Sequence, residues 1–275
     1  MKRLGLKIAR YIIPFLPRGK SIASDIALFL FGSTFGDVVT LPDGRKFYIT
    51  TISPVKRHLF FVDTYEERGT HIVRKALQAG QYVVDVGASF GWYTTLMSRL
   101  VGNQGKVFAF EMVPEVVREL STNIFLNALE DNIIIENMAL GDQERIVNYL
   151  YSGSTEMGNF HEEMLKDGRG ELKQVTAGTI QMTSLDVYIE KNKIQKVDFI
   201  KCDIDGAEVP FLRGAKKTIA SYNPIIMIEV NERVQKIQGH SCHEIFQELN
   251  LLGYTFFSLR SKLKAMEEND FRRNL

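Results

Sequence analysis

Three acidic residues, Asp203, Asp205 and Glu208, lie close together in the segment KCDIDGAE. They follow Val197–Cys202, an apolar run of strand length, so we expect them at the carboxyl end of that strand. Carboxylates there can deprotonate a hydroxyl nucleophile, hold a divalent cation that does so, or hydrogen-bond substrate hydroxyls. Alternatively they complement the dipole of the next helix, which suits Glu208 better than Asp203. We predict that the three acids are catalytic and leave metal dependence open.

A second pattern, D-x-G-x-x-x-G, begins at Asp85 and includes Gly87 and Gly91. It follows a buried strand, and a glycine turn at that place lets a ligand approach the backbone closely. The dinucleotide fingerprint G-x-G-x-x-G has a further glycine that makes room for a pyrophosphate. Here Ala88 and Ser89 follow Gly87 instead. The loop therefore favours a nucleoside ligand without phosphates, and S-adenosylmethionine is the candidate.

Two more acids follow the next strands of the chain. Glu111 ends the second strand, 20 residues beyond Gly91, where an acid can accept hydrogen bonds from ribose hydroxyls. Asp142 follows the third strand and is either a partner of the adenine amino group or a turn residue, while Met138 or Ala139 would flank the ring. The predicted cofactor-binding residues are Asp85, Gly87, Ala88, Ser89, Gly91, Glu111, Met112, Ala139, Asp142 and Asp203.

Strand and helix patterns alternate around these residues, which predicts an α/β fold with a parallel sheet and right-handed crossovers. The predicted strands are Tyr82–Val86, Lys106–Glu111, Asn132–Asn137, Val197–Cys202, Pro224–Val230 and Tyr254–Leu259. The predicted helices are Glu66–Gln78, Trp92–Leu100, Pro114–Asn127, Ser184–Lys191, Val209–Ser221 and Cys242–Leu252. After Gly141 the pattern breaks, and Arg145–Tyr151 and Lys173–Met182 predict a β-hairpin insertion that carries the polar loop Ser152–Gly170.

The chain divides into two predicted parts. Residues 1–75 are expected to form a small N-terminal extension, made of a helix and a hairpin, and residues 76–275 the main domain. In the hairpin, Asp37–Leu41 and Lys46–Thr50 flank a Pro-Asp-Gly turn.

The first 20 residues carry basic side chains with apolar residues between them and no acid. Such a helix either rests on an anionic membrane surface or packs on the domain. The segment lacks the apolar region of a signal peptide, and Ile22–Phe31 is too short to span a membrane and contains Asp25. The basic residues are Lys2, Arg3, Lys7, Arg10, Arg18 and Lys20.

The composition is that of an ordinary globular protein of 275 residues. A formal net charge of +1 gives no global field that would favour nucleic acid. The two cysteines, Cys202 and Cys242, are not in a C-x-x-C pair, so disulfide frameworks and structural zinc sites are disfavoured. We expect a cytoplasmic protein, with peripheral membrane contact through residues 1–20 as an alternative; the oligomeric state is left open.

Several blocks, in order, resemble the FkbM family of S-adenosylmethionine-dependent methyltransferases over about three-fifths of the chain, from Tyr65 to Glu232. Their order and spacing are more specific than any single block. The blocks are GQYVVDVGASFGWYT, GKVFAFEMVPE, the N-x-x-x-N of Asn123 and Asn127, ALGD, TSLDVYI, DFIKCDIDGAEVPFLRGA and NPIIMIEV.

The resemblance implies a Rossmann-like class I methyltransferase, a three-layer sandwich with a mostly parallel sheet of seven strands whose last strand is antiparallel. It also implies O-methylation, often of sugar or natural-product hydroxyls. By resemblance, Asp85, Gly87 and Gly91 lie at the methionine end of the cofactor, Glu111 at the ribose and Asp142 at the adenine.

Two positions depart from the family pattern. The family usually has proline after the acid of the second strand, and here Met112 follows. The family usually has glutamate where this chain has Asp205, which is shorter by one methylene and reaches less far toward a substrate or metal.

We therefore predict an O-methyltransferase in which the protein aligns a substrate oxygen with the methyl group and removes its proton. The acceptor is expected to be a small molecule or glycan. A nicotinamide-dependent oxidoreductase would share the sheet and the acid after the second strand, but the missing glycine argues against it. A non-catalytic cofactor-binding protein that partners another enzyme is the other alternative.

Overall fold

The computed structural model describes residues 2–16, 20–31, 36–50, 54–152, 157–159, 176–259 and 265–266. Most of the predicted loop Ser152–Gly170, the beginning of the predicted strand Lys173–Met182, and residues 17–19 of the basic segment lie outside the described residues. The described part has the α/β fold that the sequence predicts.

The N-terminal part holds more helices than the single one expected. The predicted hairpin is confirmed, because β1 and β2 pair antiparallel with Thr40 opposite Lys46. Helix α3, which was not predicted, begins at Pro54, in a first turn where a missing N–H costs nothing. The elements are α1 (Lys2–Ile12), a 3-10 turn (Ile13–Phe15), α2 (Lys20–Phe31), β1 (Gly36–Thr40), β2 (Lys46–Thr50), α3 (Pro54–Val62) and α4 (Glu67–Ala76).

Strands and helices then alternate, interrupted by an insertion. The first half contains β3 (Tyr82–Val86), α5 (Trp92–Val101), β4 (Lys106–Phe110), α6 (Pro114–Leu126) and β5 (Ile133–Glu136). The insertion contains β6 (Ala139–Leu140), β7 (Arg145–Ser152), β8 (Met157–Asn159) and β9 (Thr176–Thr183). The second half contains α7 (Leu185–Lys191), β10 (Phe199–Cys202), α8 (Glu208–Gly214), α9 (Lys216–Tyr222), β11 (Ile225–Ile228), α10 (Glu232–Ile237), α11 (Cys242–Leu251), β12 (Phe256–Phe257) and β13 (Ala265–Met266).

The central sheet has five parallel strands in the order β11-β10-β3-β4-β5. The chain builds outward from β3 through β4 to β5 and then returns to the other side of β3 with β10. The strand order therefore reverses between β3 and β10, and in open α/β sheets ligands bind outside the carboxyl ends of the strands at such a point.

Helices cover both faces of this sheet, because side chains alternate along each strand. Val83, Val107 and Phe199 belong to a buried cluster that includes α5, α6 and the N-terminal elements. Their neighbours Val84 and Ile200 belong to a second cluster with α7, α8, α9 and α11. The result is the three-layer Rossmann-like sandwich. The boundary at residue 75 stays a prediction; α4 crosses it, and the first cluster joins both sides.

The insertion forms its own sheet, in the order β6-β9-β7-β8. Strands β7 and β9 pair antiparallel over their length, as predicted for a hairpin, and Ala139 of β6 pairs parallel with Met182 of β9. The insertion therefore starts at the edge of the central sheet, next to the end of β5.

Two predicted elements are corrected, and one expectation about the sheet is not confirmed. A seven-stranded sheet is not confirmed, since the central sheet of the described residues has five strands. The predicted last strand, Tyr254–Leu259, contributes only β12, which pairs antiparallel with β13 in a separate two-stranded sheet. The predicted helix Val209–Ser221 is divided at Ala215 into α8 and α9. There Gly214 packs so closely on the carbonyl of Gly141 that a side chain would overlap it.

Candidate active site

A cleft of about 320 Å³ opens at the carboxyl ends of β3, β4, β10 and β11. This volume lies at the lower end of the range for sites of small organic ligands. Glycine-loop, acidic, aromatic and methionine residues line it together. The lining residues are Val55, Tyr65, Glu66, Val86, Gly87, Ala88, Ser89, Phe90, Trp92, Tyr93, Phe110, Glu111, Met112, Met138, Ala139, Leu140, Lys201, Asp203, Ile204, Asp205, Ala207 and Glu229.

Most, but not all, of the predicted site residues are among them. Those that line the cleft are Gly87, Ala88, Ser89, Glu111, Met112, Ala139, Asp203 and Asp205. Asp85, Gly91, Asp142 and Glu208 do not line it. The structure thus brings residues from the ends of four strands together around the cleft. The other four predicted residues do not line it.

The glycine turn is held against both neighbouring strands. The amides of Gly87 and Ala88 donate to the carbonyl of Phe110 at 3.0 and 2.9 Å. Gly87 has a positive φ of 78°, and a side chain there would overlap the backbone oxygen of Asp203. Gly91, with φ of 93°, precedes helix α5 as its N-cap. The backbone conformation and close packing of the turn therefore require glycine at both positions, whether or not a ligand binds there.

Glu111 lies at the end of β4 and closes the turn from the other side. One carboxylate oxygen accepts from the Ser89 amide at 3.0 Å and the other from the Val113 amide at 2.9 Å. Burial raises the pKa of Glu111, against these two hydrogen bonds, which lower it. Because Glu111 also lines the cleft, its carboxylate is placed to accept from a ligand hydroxyl.

Lys201 is a buried cation between two carboxylates. On the sheet it lies directly opposite Asp85, and its Nζ is 3.8 Å from Asp85 Oδ1 and 3.3 Å from Asp203 Oδ2. The same Nζ donates to the Gly87 carbonyl at 3.1 Å and lies 5.3 Å from the centre of the Tyr93 ring. Burial alone would lower the pKa of Lys201, but Asp203 and Asp85 raise it, so the side chain stays charged.

Asp85 is completely buried beneath the glycine turn. Thr94 Oγ1 donates to its Oδ2 at 2.6 Å, while Oδ1 has no hydrogen-bond donor among the described residues and lies 3.8 Å from Lys201 Nζ. Burial raises the pKa of Asp85, although Lys201 and Thr94 lower it. Asp85 therefore reaches the cleft through Lys201 rather than through its own carboxylate.

The acids Asp203, Glu229 and Asp205 titrate differently. A hydrogen bond to Asp203, together with burial, raises the pKa of Glu229 to about 9. Burial alone would raise the pKa of Asp203, but Lys201 and the hydrogen bond from Glu229 lower it. Burial and the charges of Asp203 and Glu208 raise the pKa of Asp205 to about 7. At neutral pH, Glu229 is thus protonated, Asp203 charged, and Asp205 near its midpoint.

Glu208 stabilises the loop in front of α8. It is almost fully buried, and its two oxygens accept from the amides of Ile204 and Gly206, both at 3.0 Å, and from the Gln235 side chain. Its acceptor sites are used by the protein, so we assign it no contact with a substrate. The loop that it holds includes Asp205, whose φ of 50° is uncommon for a residue other than glycine.

Asp142 lies beside the insertion, next to the lining residue Leu140 but outside the cleft. Its carboxylate is half-exposed and lies 3.6 Å from Arg145. Of its two readings, the turn residue fits this position better. The apolar lining near the end of β5 instead comes from Met138 and Ala139, and Met112 lies beyond Glu111.

The aromatic residues that line the cleft were not predicted from the sequence. Tyr65 and Trp92 make an edge-to-face contact with centroids 5.6 Å apart, and both line the cleft. Buried Tyr93 donates to Glu66 at 2.6 Å, and burial and this hydrogen bond raise the pKa of Tyr93, which stays protonated. Trp92 and Tyr93 directly follow the glycine turn, a signal that was available. Tyr65 and Glu66 lie 20 or more residues before that turn, where no local pattern marks them.

No group of three or more His, Cys, Asp or Glu side chains among the described residues is arranged to hold a metal ion. The same described part of the chain has no helix that is both long and apolar enough to cross a membrane.

Residues 85–256 match the sequence profile of the methyltransferase FkbM domain, which is more than half of the chain. The chain therefore belongs to the FkbM family. This family membership decides against the nicotinamide-dependent oxidoreductase. Comparison with curated protein sequences gave no match.

Several solved structures are similar at low sequence identity. The methyltransferase FkbM from Methylobacillus flagellatus is 14% identical with a TM-score of 0.42, covering 71% of this chain and 45% of that chain. A SAM-dependent O-methyltransferase from Thermotoga maritima is 14% identical with a TM-score of 0.41, covering 89% and 76%. The precorrin 8w decarboxylase from Methanobacterium thermoautotrophicum is 13% identical with a TM-score of 0.40, covering 74% and 87%. This chain thus spans less than half of the Methylobacillus protein.

Proposed function

We propose that this protein transfers the methyl group of S-adenosylmethionine to a hydroxyl oxygen of a sugar, glycan or natural product. The observation that carries the proposal is that Glu111 and Asp205, at the ends of β4 and β10, line one cleft. Glu111 offers acceptor positions for a nucleoside, and Asp205 is a carboxylate whose pKa of about 7 suits proton removal at neutral pH.

The residues present fit the cofactor. Glu111 would accept from the ribose hydroxyls, and Met112, Met138 and Ala139 form an apolar surface suited to the adenine ring. The backbone from Gly87 to Ser89 would lie along the amino-acid end, with charged Lys201 and Asp203 next to it. A cleft with one nucleoside-binding acid and no phosphate-binding glycine favours this ligand over a dinucleotide.

S-adenosylmethionine, when bound, supplies a methyl group already activated on a sulfonium. The protein then has to align the acceptor oxygen and take its proton. We assign the proton to Asp205, because its pKa of about 7 suits proton removal at neutral pH, whereas Lys201 and Glu229 hold the pKa of Asp203 lower. Asp203 has a positioning role, since its negative charge contributes to the raised pKa of Asp205.

Replacing Glu111 by Gln is expected to weaken binding of S-adenosylhomocysteine about 10- to 100-fold, the value of one or two hydrogen bonds to a charged group. Isothermal titration measures it. Asp142→Asn is the matched control: it changes an acid outside the cleft and should leave the affinity unchanged. If only Asp142→Asn weakened binding, the adenine reading of Asp142 would be right and the ribose assignment of Glu111 wrong.

Asp203→Asn is expected to reduce kcat by tenfold or more, in the range of about 10–10³, and to change cofactor affinity less. Because the charge of Asp203 raises the pKa of Asp205, its loss should also move the rising limb of the rate–pH profile to lower pH. Rates measured at saturating acceptor from acidic to alkaline pH test this. A residual rate that lacks the rising limb altogether would instead assign the base to Asp203 itself.

The acceptor is tested by transfer of labelled methyl from S-adenosylmethionine to extracts of glycans and small metabolites. We expect label in products that resist mild alkali, as methyl ethers do, whereas carboxyl methyl esters are cleaved. Label only in alkali-labile or amine products would overturn the hydroxyl assignment. No transfer, combined with binding of S-adenosylhomocysteine, would favour the non-catalytic cofactor-binding protein.

Metal dependence of the reaction is open to a direct test by chelation. Turnover that survives EDTA would exclude a required divalent ion in the group of Asp203 and Asp205.

Both cysteines, Cys202 and Cys242, are free thiols and buried, which is compatible with the reducing cytoplasm that we propose.

A further inference from the structure

The first two helices carry apolar side chains that the other described residues of the protein leave exposed. In α1 and the turn after it, four exposed side chains follow the spacing of one helix face, at i, i+3, i+4 and i+7. In α2, four more follow the spacing i, i+4, i+7 and i+8. We call these residues the outer face: Ile8, Tyr11, Ile12, Phe15, Ile22, Ile26, Phe29 and Leu30. Isolated exposed apolar residues are common, but this many on two adjacent helices marks an interaction surface.

The opposite faces of the same helices are packed on the protein. Ile13 and Ala27 are buried in the first hydrophobic cluster, and Ala9 and Leu16 pack against it. Arg10 pairs with Asp63 of the loop after α3 at 2.7 Å and lies 5.2 Å from the centre of the Phe60 ring. The helices are therefore fixed on the domain by one face, and the outer face is left for another partner.

The charge of this segment points to the partner. Residues 2–31 contain six basic side chains and one acid, a formal charge of +5 in a chain whose total is +1. Aromatic and aliphatic residues beside lysine and arginine are typical of helices that lie in the interface of an anionic bilayer. Two copies of so basic a segment would repel each other, which disfavours a dimer through this face.

We propose that α1 and α2 dock the protein on an anionic membrane surface, with the outer face inserted among the lipid headgroups. Neither helix spans the bilayer, since they have 11 and 12 residues. Docking would hold the domain next to a membrane without involving Asp205, Glu111 or another residue of the cleft. The proposal is independent of the reaction at the cleft and survives if the acceptor is not a hydroxyl.

The test is flotation of the full chain with vesicles of phosphatidylcholine, with and without phosphatidylglycerol. We expect binding to the anionic vesicles that falls with added salt. Phe15→Ser/Phe29→Ser, at positions 86% and 89% exposed, should lower the partition coefficient about tenfold or more. The matched control is Phe125→Ser/Leu251→Ser, at 73% and 81% exposed elsewhere on the surface, which should change it less than about twofold.

Two double variants at lysines test the electrostatic part of the proposal without changing an apolar residue. Lys2→Gln/Lys7→Gln should weaken binding to anionic vesicles only, while Lys191→Gln/Lys193→Gln, which changes two exposed lysines at the end of α7 and just after it, should not. Thermal melting and S-adenosylhomocysteine binding should be the same for all variants, because the described lining of the cleft comes from other parts of the chain.

Three results would overturn the proposal. The first is a full chain that does not float with anionic vesicles at low salt. The second is an equal loss of binding in the outer-face variant and its control. The third is a lipid-free dimer that Phe15→Ser/Phe29→Ser converts to a monomer, which would show that a second copy covers the outer face.

Discussion

Replacing Asp205 by Asn is expected to lower kcat about 10²–10⁴-fold at neutral pH, with the affinity for S-adenosylhomocysteine unchanged. The carboxylate lines the cleft beside Asp203 and Glu229, and its pKa is raised to about 7 by burial and by the charges of Asp203 and Glu208. A base with a pKa near the working pH is about half unprotonated and still accepts a proton effectively.

The sign of the pH dependence follows from this role. The base acts only when unprotonated, so the rate of the native enzyme should rise with pH through about 7 and then level off. In Asp205→Asn the remaining rate should lack this limb. Single-turnover rates over the pH range, at saturating cofactor and acceptor, separate the chemical step from product release.

Asp205→Glu is the conservative control, because the FkbM pattern usually has glutamate at this position. It should keep most of the activity and keep the rising limb. If Asp205→Asn retained both its rate and its limb, Asp205 would not be the base. If Asp205→Glu were as inactive as Asp205→Asn while both stayed folded, carboxylate placement rather than chemistry would decide the activity.

Replacing Lys201 by Met is expected to cost about 3–5 kcal/mol of unfolding free energy, because it leaves buried carboxylates without their cation. Asp85 is fully buried, and its Oδ1 has Lys201 as its neighbouring charge at 3.8 Å. A loss of this size should lower the Tm by about 10 °C in a protein of this length. Urea unfolding followed by circular dichroism measures it.

A second substitution tests the cause. Lys201→Met/Asp85→Asn removes the uncompensated charge and should recover at least about 1 kcal/mol, since residues in one ion pair are not additive. Lys196→Met is the matched control: its lysine pairs with Asp198 at 3.8 Å, but both side chains are partly exposed. It should cost less than about 1 kcal/mol.

The defect should also depend on pH. Asp85 already has a raised pKa in the folded protein, and loss of Lys201 raises it further. A carboxyl with a raised folded-state pKa favours folding at low pH and opposes it as the pH rises through that pKa. The difference between native protein and Lys201→Met should therefore narrow as the pH is lowered from neutral. A constant difference would point to lost packing instead of an unpaired carboxylate.

Local patterns predicted the parallel part of the fold well. The strands β3, β4, β5, β10 and β11 were found because apolar runs bounded by turns are distinctive, and the helices between them have capping and periodic signals. The prediction for the end of the chain was wrong, because whether Tyr254–Leu259 joins the central sheet depends on pairing with a distant strand. Helix α3 and the break at Ala215 likewise depend on packing contacts; Pro54, at the start of α3, was a local signal that the prediction did not use.

The site was predicted in part. The sequence placed Gly87, Glu111, Asp203 and Asp205 at strand ends, because parallel strands bring their carboxyl ends to one edge of the sheet. The sequence could not show which of the carboxylates line the cleft. Glu208 instead accepts hydrogen bonds from the amides of Ile204 and Gly206 in its own loop, and only folding brings these donors within reach.

By itself the sequence determined the order of strands, the glycine turn, the acids beside it and the family, because each of these is written in neighbouring residues. Only the tertiary structure decided that Asp85 is buried against Lys201, that Asp205 has a pKa of about 7, and that Tyr65 and Glu66 reach the cleft. Burial and charge at a point depend on residues far apart in the chain, and no local pattern contains them.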